Sequence, residues 1–239
     1  MAAFAYNGHV MDKKALIIRK TTRITILTAL MVVGILGIIF TALSTDFMGG
    51  ASVFYFFTVQ SNIFIIAMAF LFLGHEIICL INKKETVNQI MLQIKFVATV
   101  AITVTFLVFF AMLAPLMGID YLLSFNNFSL HAIVPILAII DFILFDTDIN
   151  LSYPKSLIAT IAPISYVAFV YAIGVPLKLQ YAKDLYFPYF FLNYDQNGFF
   201  FEKGFGVIPW IIILLTAIIG LGLLFCFFIK FRQKAISKK

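Results

Sequence analysis

Charged side chains are scarce in this chain. Asp, Glu, Lys and Arg make up 12% of its 239 residues and hydrophobic residues 63%, which leaves too little polar surface to cover a water-soluble core of that size. Cysteine is nearly missing too. Cys79 and Cys226 are the only two, without CxxC spacing, so neither a disulfide framework nor a zinc site is expected. Glycine-rich phosphate loops, HExxH, GxSxG and heptad repeats are absent, and the two halves of the chain share no usable similarity. These absences narrow the field away from nucleotide, zinc-protease and soluble serine-hydrolase chemistry.

What is present is long apolar runs, with a mean hydropathy of +1.05. A spanning helix needs about 20 apolar residues to cross about 30 Å of hydrocarbon, and six stretches qualify, near 24–43, 53–81, 96–117, 128–145, 156–175 and 207–229. The fold class expected is therefore all-α, a single six-helix transmembrane bundle. The first run is too long for the apolar region of an ordinary signal peptide and reads as a retained anchor. A net charge of +6 does not point to nucleic acid, because the basic residues flank the spans. Fourteen of the seventeen Lys and Arg fall on one side, and only Lys178, Lys183 and Lys203 on the other. The positive-inside rule then puts both termini in the cytoplasm of a multi-pass cell-membrane protein.

Polar residues inside the spans carry the functional signal, because hydrocarbon rarely tolerates them without a use. In Val53-Phe-Tyr-Phe-Phe-Thr-Val-Gln-Ser-Asn-Ile-Phe64, Thr58, Ser61 and Asn62 stand at i, i+3 and i+4 and share one helical face. Ser52 is a candidate N-cap for this helix. His131 lies about one turn into the fourth run, at a depth that matches Thr58. A threonine hydroxyl becomes a nucleophile when a base takes its proton, so these two are the candidate catalytic pair. Asn62 is a candidate oxyanion donor, and Ser61 a candidate wall residue of the pocket. The group orienting His131 is open among Asn126, Asn127 and Ser129.

Deeper in the fourth run, Asp141 needs a partner, for which Tyr166 is the candidate. His75 and Glu76 read as an interfacial pair, and Lys95 as a snorkelling side chain. Thr99 and Thr103 are expected to bond their own helix, and Pro163 to kink the fifth. The connection 176–206 carries eleven Tyr and Phe residues and is either an interfacial aromatic belt or a lid over lateral lipid entry.

Four motifs taken together carry a resemblance. Phe57-Thr-Val-Gln-Ser-Asn62, the run Leu130-His-Ala-Ile-Val-Pro-Ile-Leu-Ala-Ile-Ile-Asp141, Tyr153-Pro154 and Tyr186-Phe-Pro-Tyr-Phe-Phe-Leu-Asn193 resemble bacterial six-transmembrane proteins related to the androgen-induced-gene family. Eukaryotic members of that family are threonine hydrolases that cleave fatty acid esters of hydroxy fatty acids. The resemblance implies Thr58 as nucleophile, His131 as its base, membrane lipids and a lipid ester as partners, and no cofactor or metal. Two readings from other classes stay open: a non-catalytic lipid-binding or scaffold protein, and a small proton- or cation-coupled transporter working through Asp141, Glu76 and His131. Composition leaves the oligomeric state open.

Overall fold

The computed structural model describes residues 4–6, 9–11, 13–44, 50–82, 87–181 and 184–237. Lys83, Lys84, Lys183, Lys238 and Lys239, which enter the charge asymmetry, lie outside them. Six helices are long and apolar enough to cross a membrane, and the protein is an all-α polytopic membrane protein. They are α1 (Lys13–Leu43), α2 (Phe57–Asn82), α3 (Gln89–Leu116), α4 (Phe125–Phe145), α5 (Lys155–Gly174) and α6 (Val207–Ile236). A two-stranded hairpin, β1 (Phe4–Tyr6) and β2 (His9–Met11), precedes them.

Two helices extend well past their apolar runs. α1 begins at Lys13 and α6 continues to Ile236, because Lys, Arg and Gln are good helix formers and prolong a helix beyond the hydrocarbon. α2 is shorter at its start than expected. A 3-10 turn, Gly50–Tyr55, precedes it, so Ser52 is not its N-cap and Thr58 sits in its first turn.

α1, α2, α3 and α4 pack around one another, α5 and α6 pair, and α3 touches α2, α4, α5 and α6. Accordingly α3 is the most buried helix, with Phe96, Val100 and Ile102 fully enclosed. Close approaches are made by glycine. A Cβ on Gly37 of α1 would clash with Ser129 and lie 2.8 Å from the Leu130 side chain of α4, and one on Gly222 of α6 would lie 2.9 Å from the Ser156 carbonyl of α5.

Three spans contain a π-helical turn toward the same end of the bundle: Phe109–Leu113 in α3, Ser129–Ile133 in α4 and Val170–Gly174 in α5. In α4 the cause is legible. Pro135 has no N–H to give the His131 carbonyl, and Val134 donates back to Ser129 instead of Leu130. The Leu130 carbonyl is thereby released from the helix ladder. The same offset recurs in the other two spans: Pro115 follows the π-turn of α3 and Pro176 that of α5, and Ala114 and Val175 donate back to Phe109 and Val170. α5 opens as a 3-10 segment, Lys155–Thr160, and Pro163 falls in the first turn of the α-helical part, where a missing N–H costs little.

At the opposite end, the expected interfacial charges are buried. Glu76 is not an interfacial residue: it accepts from Arg23 at 2.9 Å. Lys95 does not snorkel. It turns inward to Asp141 and to Asp146, the latter at 2.5 Å, and its ammonium lies 4.2 Å from the centre of the Phe72 ring. Arg23 also pairs with Asp146 and approaches Asp141 at 3.4 Å. Three carboxylates converging at one level make the inward path better for both cations than headgroup water. His75 lies one turn from Cys79, with its Nε2 3.5 Å from the sulfur. Among the described residues no cluster of three or more ligating side chains could hold a metal.

Candidate active site

Thr58 and His131 come together. The Oγ1 of Thr58 lies 3.3 Å from Nε2 of His131, across the boundary between α2 and α4. The other ring nitrogen, Nδ1, lies 3.0 Å from the backbone carbonyl of Asn127, one turn earlier in α4. A carbonyl only accepts, so Nδ1 carries the proton and Nε2 is left as the acceptor facing the Thr58 hydroxyl. The group that orients His131 is therefore the main chain of Asn127, not a side chain. Asn127 is itself fixed, since its amide donates to the Tyr121 carbonyl and the Ser124 hydroxyl. The imidazole is held flat by Phe109 of the α3 π-turn, whose ring stacks on it at 3.7 Å between centroids and 19° between planes.

Ser61 and Asn62 are near this pair but face away from it. Asn62 donates one amide hydrogen to the Thr58 carbonyl at 2.8 Å and the other to the Leu130 carbonyl at 3.1 Å, the carbonyl released by the π-turn. Both N–H groups are committed, which leaves none for a developing oxyanion. Ser61 bonds the Thr58 carbonyl at 3.0 Å and the Thr105 hydroxyl at 2.8 Å. It is buried against α3 and lines neither of the cavities that meet at Thr58. Together the two side chains tie the turn of Thr58 to α3 and α4.

The other pairing expected from the sequence does not form. Asp141 is bound by Lys95 and Arg23, whereas the Tyr166 hydroxyl donates to the Tyr55 carbonyl at 3.0 Å, at the Thr58 end of the bundle. Counted from their shared end of the bundle, Asp141 is four residues from the end of α4 at Phe145, whereas Tyr166 is eleven residues past the start of α5 at Lys155, and the six opening 3-10 residues add only about 3 Å. Thr99 and Thr103 bond back to the carbonyls of Lys95 and Thr99, as their spacing implies.

The aromatic connection divides into two parts. Tyr181, Phe187, Phe191 and Leu192 are buried over the start of α2, with Tyr181 edge-on to Tyr55 and Phe56, while Phe199, Phe200, Phe201 and Phe205 are exposed. Sequence reading assigned no role to Tyr189, yet its phenol lies against the first turn of α2, where it lines both cavities together with Thr58 and feels the polar groups of Thr58 and Phe57. Burial pushes its pKa up while the polar groups of Thr58 and Phe57 pull it down, and the phenol keeps its proton at neutral pH. The available signal was the Tyr-Phe-Pro-Tyr run itself, whose proline fixes where the second tyrosine turns. Burial likewise raises Tyr181 to about 12.

Two cavities meet at Thr58. One, of about 830 Å³, opens among Asp120, Asn126, Asn193 and Gln196 and is lined by His131. The other, of about 460 Å³, runs between α3, α5 and α6 past Val108, Leu214 and Ile218, and His131 does not line it. Thr58, Phe109, Leu113 and Tyr189 belong to both. Volumes of this size suit ligands of tens of atoms. In comparison with known proteins, no family model, curated protein or solved structure matches this chain.

Proposed function

We propose that this protein is an intramembrane hydrolase of lipid esters, with Thr58 as nucleophile and His131 as general base. The observation that carries the reading is the contact of 3.3 Å between Thr58 Oγ1 and a His131 Nε2 left unprotonated by the Asn127 carbonyl. It lies where two cavities join, with room for a substrate on either side. The resemblance to the androgen-induced-gene family points to the same two residues.

In this mechanism, the Thr58 proton passes to Nε2 as Oγ1 attacks the ester carbonyl. Charge develops on the carbonyl oxygen beside the first turn of α2, whose N–H groups and helix dipole favour an anion. Tyr189, which lines both cavities beside Thr58, is the side-chain donor to the oxyanion. His131 returns the proton to the departing alcohol. Water then attacks the acyl-threonine with the same imidazole as base, releasing the acid and restoring the hydroxyl. The distribution of basic residues supports both termini in the cytoplasm and the family resemblance a bacterial plasma membrane, an orientation in which the site opens toward the outer leaflet.

The reading is tested by treating the purified protein in detergent with a fluorophosphonate. Labelling of wild type, lost in Thr58→Ala, supports it. A protein that takes no label and cleaves no fatty ester is the lipid-binding scaffold instead. A transporter working through Asp141 and Glu76 has less support, because both carboxylates are ion-paired and line neither cavity at Thr58.

A further inference from the structure

The two cavities are unequal in chemistry, and the catalytic imidazole reaches only one of them. This asymmetry decides which half of an ester goes where, provided the hydrolase reading holds. When Oγ1 of Thr58 bonds to the carbonyl carbon, the bond from that carbon to the alcohol oxygen breaks. The alcohol oxygen must take its proton from His131. Its arm therefore lies on the His131 side of Thr58, in the larger cavity. The acyl arm, which stays bonded to Oγ1, is left the opposite side. That is the smaller cavity, lined by apolar side chains such as Val108, Ile211, Leu214 and Ile218.

We infer that the smaller cavity is the acyl-chain pocket and selects a long fatty acyl group, while the larger cavity holds the alcohol arm and admits the hydrolytic water. The size of the space agrees. About 460 Å³ is some fifteen times the roughly 30 Å³ that one water occupies in the liquid, far more than an acetyl or butyryl group fills. The polar rim agrees as well. Asp120, Asn126, Asn193 and Gln196 all line the larger cavity, and water must enter on the side where His131 activates it. Phe109 separates the two spaces and stacks on His131. The acyl chain thus leaves along the helices into hydrocarbon, and the alcohol leaves through the polar mouth.

The test is a series of p-nitrophenyl esters from butyrate to palmitate, assayed with wild type, Ile218→Phe, Val104→Phe and Asn126→Trp. Ile218 and Val104 line the smaller cavity only, and Asn126 the larger only. Wild type is expected to favour the long chains. Each phenylalanine variant should lower the ratio of kcat/KM for palmitate over butyrate by about tenfold or more, as expected when a pocket loses room for methylene groups. Asn126→Trp should leave that ratio near the wild-type value. Two phenylalanine variants on different helices guard against one that does not fold. An unchanged ratio in both, or a shift of acyl preference with Asn126→Trp, overturns the assignment even though hydrolysis persists. Failure of wild type to cleave any member of the series, by contrast, removes the hydrolase reading itself.

Discussion

At one end of α2, Glu76 belongs to a group of five buried charges; at the other, eighteen residues and about 27 Å away by the helical rise, Thr58 faces a single neutral imidazole. Arg23, Glu76, Lys95, Asp141 and Asp146 each pair with another member of the group, and Arg23 and Lys95 flank Phe72. None of the five lines either cavity at Thr58. The groups at the other end are uncharged, joined by a contact of 3.3 Å, and open to space on two sides. Buried charges left unpaired cost several kcal/mol each, so the charged end is closed, with every charge ion-paired inside the group. Neutral hydroxyl and imidazole groups tolerate an incomplete set of partners, which leaves room for a substrate. Intramembrane charge therefore marks the lock of this bundle, and intramembrane neutral polarity marks its site.

The comparison is broken most sharply by removing the pair at the neutral end. His131→Ala should lower ester hydrolysis about 10²–10⁴-fold, the usual worth of a positioned base, and Thr58→Ala should abolish fluorophosphonate labelling, both with thermal stability in detergent near wild type. A large loss of stability in both would make these residues part of the lock. At the charged end the pattern should reverse. Lys95→Met leaves Asp141 and Asp146 without their shared ammonium, and truncating one partner of a buried ion pair costs about 3–5 kcal/mol. The melting temperature should fall steeply, while kcat of the fraction that stays folded should change little. Asp141→Asn, which keeps hydrogen-bonding capacity, should be milder than Asp141→Leu.

The sequence was more legible at the neutral end than at the charged one, for a physical reason. Thr58 and His131 each lie near the start of an apolar run, so counting residues brings them to similar depths, and the two side chains do meet. The ion group needed distances between helices, which periodicity does not contain. Lys95 and Arg23 look like flanking charges because their stems are long enough to reach water, and nothing in one span reveals carboxylates waiting in others. Tyr166 was misplaced because it lies eleven residues into α5 while Asp141 is only four from the end of α4, and Asn62 because its partner carbonyl, Leu130, is free only where Pro135 has forced a π-turn. The role of Tyr189 depends on a loop folding back over the bundle.

Tyr189→Phe is the next test in size. The ring contacts with Phe56, Tyr166 and Phe191 would persist, so stability should hold while kcat falls about 10²–10³-fold, the range for loss of one oxyanion donor. A drop confined to KM would make the tyrosine a lid residue only.

The smallest effect separates positioning from catalysis within the turn that the sequence singled out. Asn62 spends its amide on the Thr58 and Leu130 carbonyls, and the structure gives its buried Oδ1 no hydrogen-bond partner. Asn62→Ala therefore orphans the carbonyl at the π-turn, at about 1–3 kcal/mol for a buried polar group left unsatisfied. It touches no group that reacts. The expected result is a modest fall in melting temperature and a loss of kcat of less than about tenfold, as α4 relaxes and His131 drifts from Thr58. If instead stability is unchanged and kcat drops as far as in Tyr189→Phe, then Asn62 reorients during turnover to hold the oxyanion, and the hydrogen bonds to Thr58 and Leu130 describe only the resting state.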